Sequence, residues 1–94
     1  MRSMDLQLFC TDLGRAPEVK NILSKATGRR QTDDGVIVEF PHDDATARAV
    51  LEFVLAERRC CAFFSYEIGF SPCLTLRLRA SGMYLQPLKA MYGP

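Results

Sequence analysis

The strongest constraint on the fold is a long helical pattern that runs from about Ala45 to Cys61. At ~100° per residue, Arg48, Glu52 and Arg59 share one polar face, which we expect to meet solvent. The opposite face is apolar and carries Val50, Phe53, Val54, Cys60 and Cys61. An aspartate just before the pattern is a natural N-cap. The sequence therefore predicts one long amphipathic helix that packs against the rest of the domain.

Alternating apolar and polar residues predict strands on both sides of this helix. The predicted strands are Asp5–Cys10, Val36–Phe40, Phe64–Phe70 and Leu74–Arg79. Helical spacing predicts two more helices, from Pro17 to about Ala26 and from Met83 to Tyr92. The segment from Gly28 to Gly35 is polar and shows no such pattern, so we expect an exposed loop there.

The order of these elements is β-α-β-α-β-β-α, and 94 residues suffice for a single domain. Right-handed crossovers would place the helices on one face of a four-stranded mixed sheet, which is an α+β two-layer sandwich. The other face would carry a polar row of Gln7, Glu39, Glu67, Thr75, Arg77 and Arg79. Because Phe9 and Ile37 also fall on that face, it is a candidate surface for a homodimer.

The composition excludes several classes of partner. Twelve basic and eleven acidic side chains leave a net charge of +1, so no overall field attracts nucleic acid or an anionic membrane. No apolar run approaches the ~20 residues that span a bilayer. We therefore expect a cytoplasmic protein, whose four cysteines act as thiols rather than as a disulfide framework.

The adjacent cysteines Cys60 and Cys61 allow two interpretations. Cysteine is a small apolar residue that suits the buried end of a helix. Alternatively, the pair supplies thiolate for ligation or redox chemistry, which the positive charge of Arg58 would favour. The dipole at a helix C-terminus acts in the opposite direction, because it disfavours negative charge.

Glu57 stands on the apolar face of the helix, one turn before both cysteines. A buried carboxylate is costly unless it is paired or hydrogen-bonded. One interpretation is a salt bridge to Arg58 or to an arginine of the sheet. The other makes Glu57 a candidate proton acceptor for a thiol, or an oxygen ligand. No other residue is assigned a catalytic role.

Cys10 ends the first predicted strand on its core-facing row, so it could meet the end of the long helix. Three converging thiols, Cys10, Cys60 and Cys61, with few hard ligands would suit soft thiophilic ions. No zinc-finger spacing is present, and the only histidine, His42, falls at the far end of the long helix. Cys73 shares the polar row of its strand with arginines, so we expect it to point away from the core.

The aromatic residues are interpreted as packing rather than as a ligand cage. The row after the cysteines, Phe63, Phe64, Tyr66 and Phe70, has the alternation of a strand with a core-facing side. Tyr84 and Tyr92 are expected to pack the terminal helix.

The stretch from Glu57 to Glu67 and the strand Leu74–Leu78 resemble a group of small, mostly uncharacterised bacterial proteins with a Glu-Arg-x-Cys-Cys-Pro-Phe core. Five residues match that core one by one: Glu57, Arg58, Cys60, Cys61 and Phe63. Ala62 replaces its proline, and Cys10 matches an earlier cysteine that the group often carries. The resemblance implies a helix-strand-strand unit and an association with heavy-metal or metalloid resistance, and it implies no enzymatic activity.

Three functions follow from these observations. The first is a small thiol protein, not an enzyme, that binds a soft metal or metalloid ion through Cys10, Cys60 and Cys61, supported by Glu57 and Arg58. The second is a thiol-disulfide redox protein in which Cys10 resolves a bond to the pair. The third is a non-enzymatic dimerising module with structural cysteines.

Overall fold

The structure is a computed structural model that describes residues 16–60 and 62–94. Its elements are α1 (Ala16–Leu23), β1 (Gly28–Thr32), β2 (Gly35–Phe40), α2 (Asp44–Cys60), β3 (Ser65–Gly69), β4 (Leu74–Arg79) and α3 (Leu85–Tyr92). A short 3-10 helix, Gly82–Tyr84, leads into α3. The predicted strand Asp5–Cys10 lies outside the described residues.

The four described strands form one sheet in the order β1-β2-β4-β3. Two hairpins, β1–β2 and β3–β4, are joined by α2, and β4 lies between β2 and β3. The predicted α+β class is confirmed. The described sheet also has four strands, three of which (β2, β3 and β4) are predicted ones, and the fourth is β1.

The pairings among the described strands are all antiparallel rather than mixed. The pairs β1–β2 and β3–β4 are hairpins, which require antiparallel strands. The crossover through α2 joins β2 to β3, but β4 lies between these two strands, so they do not pair.

The prediction of an exposed loop from Gly28 to Gly35 is wrong, because its first five residues form the edge strand β1. Thr32 pairs with Gly35 across a turn, and the other β1 residues pair with β2 in the same register. Most β1 side chains are exposed, so the strand is built from backbone hydrogen bonds and needs no apolar alternation. Arg30 strengthens it through a salt bridge of 2.9 Å to Glu39.

The helices cover one face of the sheet, as predicted. The core residues of β2 and β4 alternate along each strand and are cross-strand partners: Val36, Val38 and Phe40 with Leu78, Leu76 and Leu74. From α2, Val50, Phe53 and Val54 are buried against them. The solvent face predicted for this helix is confirmed by the exposure of Arg48, Glu52 and Arg59.

The open face of the sheet carries every described member of the predicted polar row. Salt bridges cross the strands there, from Arg79 to Asp34 at 3.5 Å and from Arg79 to Glu67 at 3.6 Å. Ile37 is half-buried between charged neighbours. Pairing of this face in a homodimer stays a prediction.

The predicted aspartate N-cap of the long helix is Asp43. Its Oδ1 accepts a hydrogen bond of 2.8 Å from the backbone N–H of Thr46, and its Oδ2 accepts one of 3.1 Å from the Thr46 hydroxyl. These bonds hold the pKa of the Asp43 carboxyl below its usual value, since they stabilise the charged form.

We expect Asp43→Ala to lower the thermal unfolding midpoint at neutral pH by a few degrees, because two donors of the first turn lose their acceptor. The carboxyl pKa is lowered on folding, so its contribution is present above the usual pKa and is lost as pH falls through the lowered value. Thermal scans should therefore show the two proteins converging in strong acid. Asp33→Ala, in the β1–β2 turn, is the control, and an equal effect of both would contradict the capping role.

Candidate functional site

The candidate site lies at the C-terminal end of α2. The helix ends at Cys60, and Glu57 lies one turn earlier on the face that meets the core. Glu57 has 0% of its surface exposed, and it is the only charged residue among the described ones that is fully buried. The prediction that Glu57 falls within the apolar face is confirmed. Arg58, the next residue, is exposed.

A chain of aromatic rings runs through this end of the domain. Tyr84 stacks on Phe63 with ring centroids 4.3 Å apart, and Phe63 meets Phe64 edge-on at 4.9 Å. Phe64 and Phe53 each pack against Tyr92 at 6.5 Å and 6.3 Å. Phe53 lies one turn before Glu57 in α2, and Phe63 and Phe64 follow the cysteine pair in the sequence. The rings therefore connect the helix before the pair with the segment after it in one packed unit.

The ring chain confirms the packing roles predicted for Tyr84 and Tyr92, and Phe64 is buried. The prediction fails for Phe70, whose side chain is 58% exposed. Phe70 follows the last residue of β3 and therefore lies beyond the pairing that holds this strand against β4. Sequence alternation alone does not show where a strand ends, which is why Phe70 was grouped with the core.

Cys73 and His42 lie at the opposite end of the sheet from Cys60, the last residue of α2. Cys73 directly precedes β4, whose first residue pairs with Phe40, and His42 follows that strand end in the chain. The exposed position of His42 before the long helix is as predicted. Cys73 is half-buried and forms no disulfide. Neither residue can share a first coordination sphere with Cys60.

The described residues contain no group of three or more histidine, cysteine or acidic side chains that could hold a metal ion. Cys10 and Cys61 lie outside the described part of the chain, and Cys60 is described only as the last helical residue. The convergence of the three thiols therefore stays a prediction. What the structure adds is the buried carboxylate and the aromatic packing around the position of the pair.

Sequence reasoning missed the contacts between the rings of different elements. The stacking of Phe63 on Tyr84 joins the segment after α2 to the segment before α3, and no local pattern encodes such a pairing. The only available signal was compositional, because aromatic residues follow both the cysteine pair and the last strand.

In comparisons with protein-family models, curated proteins and solved structures, no match to this chain was found. The resemblance to small bacterial proteins with a Glu-Arg-x-Cys-Cys-Pro-Phe core therefore stays a prediction. None of the described helices combines the length and the apolar composition that crossing a membrane requires.

Proposed function

We propose that this chain is a small cytoplasmic thiol protein that binds a soft metal or metalloid ion through Cys10, Cys60 and Cys61. In this function Glu57 takes up a proton that a thiol releases on binding, and Arg58 favours the thiolate by its positive charge. The protein acts as a binding protein rather than as an enzyme. The observation that carries the proposal is the complete burial of Glu57 one turn before Cys60.

The burial of Glu57 supports a functional role because packing alone would not select a carboxylate there. The same face of α2 carries Val50, Phe53 and Val54, all buried and apolar. Burying a charge costs several kcal/mol, and replacing a buried ion pair by apolar residues is often neutral or stabilising. A role in proton exchange with neighbouring thiols gives the carboxylate a reason to stand at this position.

The distribution of the other candidate ligands supports a site of three thiols rather than four. Cys73 is separated from the cysteine pair by β4, and a strand of six residues spans about 20 Å. Three thiolates without histidine form a soft donor set, which favours thiophilic ions over magnesium or calcium. Such a set would remain reduced in the cytoplasm.

The chain length allows Cys10 to join the pair. Residues 11–15 connect it to Ala16, the first residue of α1, and a segment of this length reaches at most ~20 Å. α1 lies beside α2, with Glu18 and Ala56 lining one cleft between the two helices. The C-terminal half of α2 is therefore within reach of Cys10.

The experiment that tests the function is native mass spectrometry of the reduced protein with mercuric, arsenite, cuprous and zinc ions. We expect one soft ion per chain, with three thiols protected from alkylation and Cys73 still reactive. Cys61→Ser should weaken binding by more than about 100-fold, since even the partners that only orient metal ligands contribute up to that factor. Cys73→Ser, the matched control, should bind as the wild type does.

Two other results would each point to another function. A Cys10 disulfide to one of the pair under mild peroxide, without ion binding, would favour the redox alternative. Four thiols that react only after unfolding would favour structural cysteines in an interaction module. Either result would overturn the proposed binding function.

A further inference from the structure

In the described part of the chain, the open face of the sheet carries three arginines, which differ in whether a carboxylate pairs with them. Arg30 forms a salt bridge of 2.9 Å to Glu39. Arg79 contacts two carboxylates, at 3.5 Å and 3.6 Å. Arg77 has no hydrogen bond or ion pair with any residue that the structure describes. Its positive charge is therefore the one on this face without a partner there.

Arg77 stands in the middle of the open face. Its cross-strand partners are Ile37 on β2 and Glu67 on β3. The side chain is half-buried, and its Nε is buried without an acceptor among the described residues. A buried donor that lacks an acceptor is unfavourable. A ligand that brings an acceptor to this position gains a contact that the folded chain does not supply.

A cavity of about 260 Å³ opens beside Arg77 on the same face. Besides Arg77, three residues that can donate hydrogen bonds line it, namely Arg30, Ser71 and Thr75. The cavity also borders Gly69, whose lack of a side chain keeps it open, because a Cβ there would come within 2.9 Å of the Thr75 hydroxyl oxygen. Convergent donors around a small cavity favour a ligand that accepts hydrogen bonds.

We infer that this cavity binds a small organic carboxylate, with Arg77 as the residue that pairs with the carboxylate group. The planar guanidinium presents its donors in a fork that matches the two oxygens of a carboxylate. Ile37 and Pro72, which also line the cavity, offer apolar surface for the rest of the molecule. Apolar lining with a few convergent polar groups is typical of small-molecule sites.

The charges around the cavity favour a ligand with a single negative charge. Glu67 lines the same cavity, and its carboxylate is 3.6 Å from the guanidinium of Arg79. The cavity thus offers one unpaired positive charge, that of Arg77, beside a negative one. A monocarboxylate pairs with Arg77, whereas the second charge of a phosphate group would face Glu67. Phosphate monoesters carry close to two charges at neutral pH, so we expect them to bind more weakly.

The carboxylate site is separate from the proposed ion site. Its cavity lies on the open face and borders Ser71 and Pro72, in the turn between β3 and β4. Cys60 lies at the end of α2, at the opposite end of the sheet from this turn. The inference uses no thiol and no metal ion, so it does not depend on the proposed function.

Titration of the reduced full chain with benzoate, followed by amide NMR spectra, tests the site. We expect saturable shifts at the amides of Gly69, Thr75 and Arg77. Benzamide, which has the same ring without the charge, is the matched ligand control and should not saturate. Phenyl phosphate should bind more weakly than benzoate. Absence of saturable shifts through the millimolar range of benzoate, or tighter binding of phenyl phosphate, would overturn the inference.

Arg77→Gln should weaken benzoate binding by about 10- to 100-fold, because a hydrogen bond to a charged group contributes about that factor. Without ligand its thermal unfolding midpoint should not fall, since Arg77 has no partner among the described residues to lose. Arg48→Gln removes the same charge from the exposed side of α2 and should bind benzoate as the wild type does. Equal affinities of Arg77→Gln and the wild type would overturn the inference.

Gly69→Ala tests the cavity while keeping every charge. The added Cβ meets only a side-chain hydroxyl, which can rotate away, so the strand should stay folded. We expect benzoate binding to weaken at least tenfold as the cavity fills. Glu67→Gln should raise the affinity for phenyl phosphate more than that for benzoate, because it removes the charge that faces a second negative group. Unchanged benzoate affinity in Gly69→Ala would place the ligand elsewhere and overturn the inference.

The same titration in Cys61→Ser separates the two sites. Benzoate should bind this variant as tightly as the wild type, whether or not the wild type binds a soft ion. Loss of benzoate binding in Cys61→Ser would overturn the inference, because the cavity would then depend on the cysteine pair.

Discussion

Gly35→Ala should destabilise the domain more than any other small change in the sheet. A Cβ at this position would overlap the backbone carbonyl oxygen of Leu78 on the neighbouring strand β4. No side chain can move to relieve that overlap, so β2 and β4, the central pair of the sheet, would have to separate. We expect a loss of about 3 kcal/mol in the free energy of unfolding, or a fall in the midpoint of roughly 10–20 °C.

Gly82→Ala is the control that separates this overlap from the general cost of replacing glycine. Gly82 has a positive φ of 61°, and nothing lies within 4 Å of a Cβ added there. Its replacement should cost about 1 kcal/mol, through backbone strain alone. Urea titrations would compare the free energies of unfolding of the two proteins, provided that both show the same m-value. If Gly35→Ala is no less stable than Gly82→Ala, the close approach of β2 to Leu78 does not exist in solution.

Gly35 also shows why part of the sheet could not be predicted from the sequence. The amphipathic period of α2 and the alternation in β2 and β4 identify those elements, because each buries one apolar side. β1 has no apolar side, and its residues become a strand only because β2 offers a free edge. The two turn residues are Asp33 and Asp34, because Thr32 pairs with Gly35, so no Asn-Gly or Asp-Gly pair at the turn positions marks this hairpin in the sequence.

For the candidate site, too, the local sequence pattern predicts some features and not others. The position of Glu57 could be predicted because the helical period fixes which residues of α2 face the core. The distance of Cys73 from the C-terminal end of α2 could also be predicted in part, because Cys73 stands at the start of the second predicted strand after the helix. The ring contacts depend on how three elements meet in space, and the separate segments do not encode this.

Tyr92→Ala should have an effect as large as that of Gly35→Ala, because Tyr92 is the largest fully buried side chain among the described residues. Its ring packs edge-on against Phe53 of α2 and against Phe64. Removing a buried aromatic ring generally costs about 3–5 kcal/mol. Because small domains have only about 5–15 kcal/mol of stability, we expect a variant that unfolds close to working temperature.

Tyr84→Ala provides the matched comparison, because Tyr84 belongs to the same ring chain but is only half-buried. It stacks on Phe63, and aromatic pairs of this kind contribute about 0.5–1.5 kcal/mol beyond the area they bury. In a denaturant titration, Tyr92→Ala should therefore unfold at a much lower denaturant concentration than Tyr84→Ala. Equal unfolding midpoints of the two variants would mean that the packing of Tyr92 does not hold α2 against the sheet. The expected ranking would make the last turn of α3 the element that holds the middle of α2 in place, through the contact of Tyr92 with Phe53.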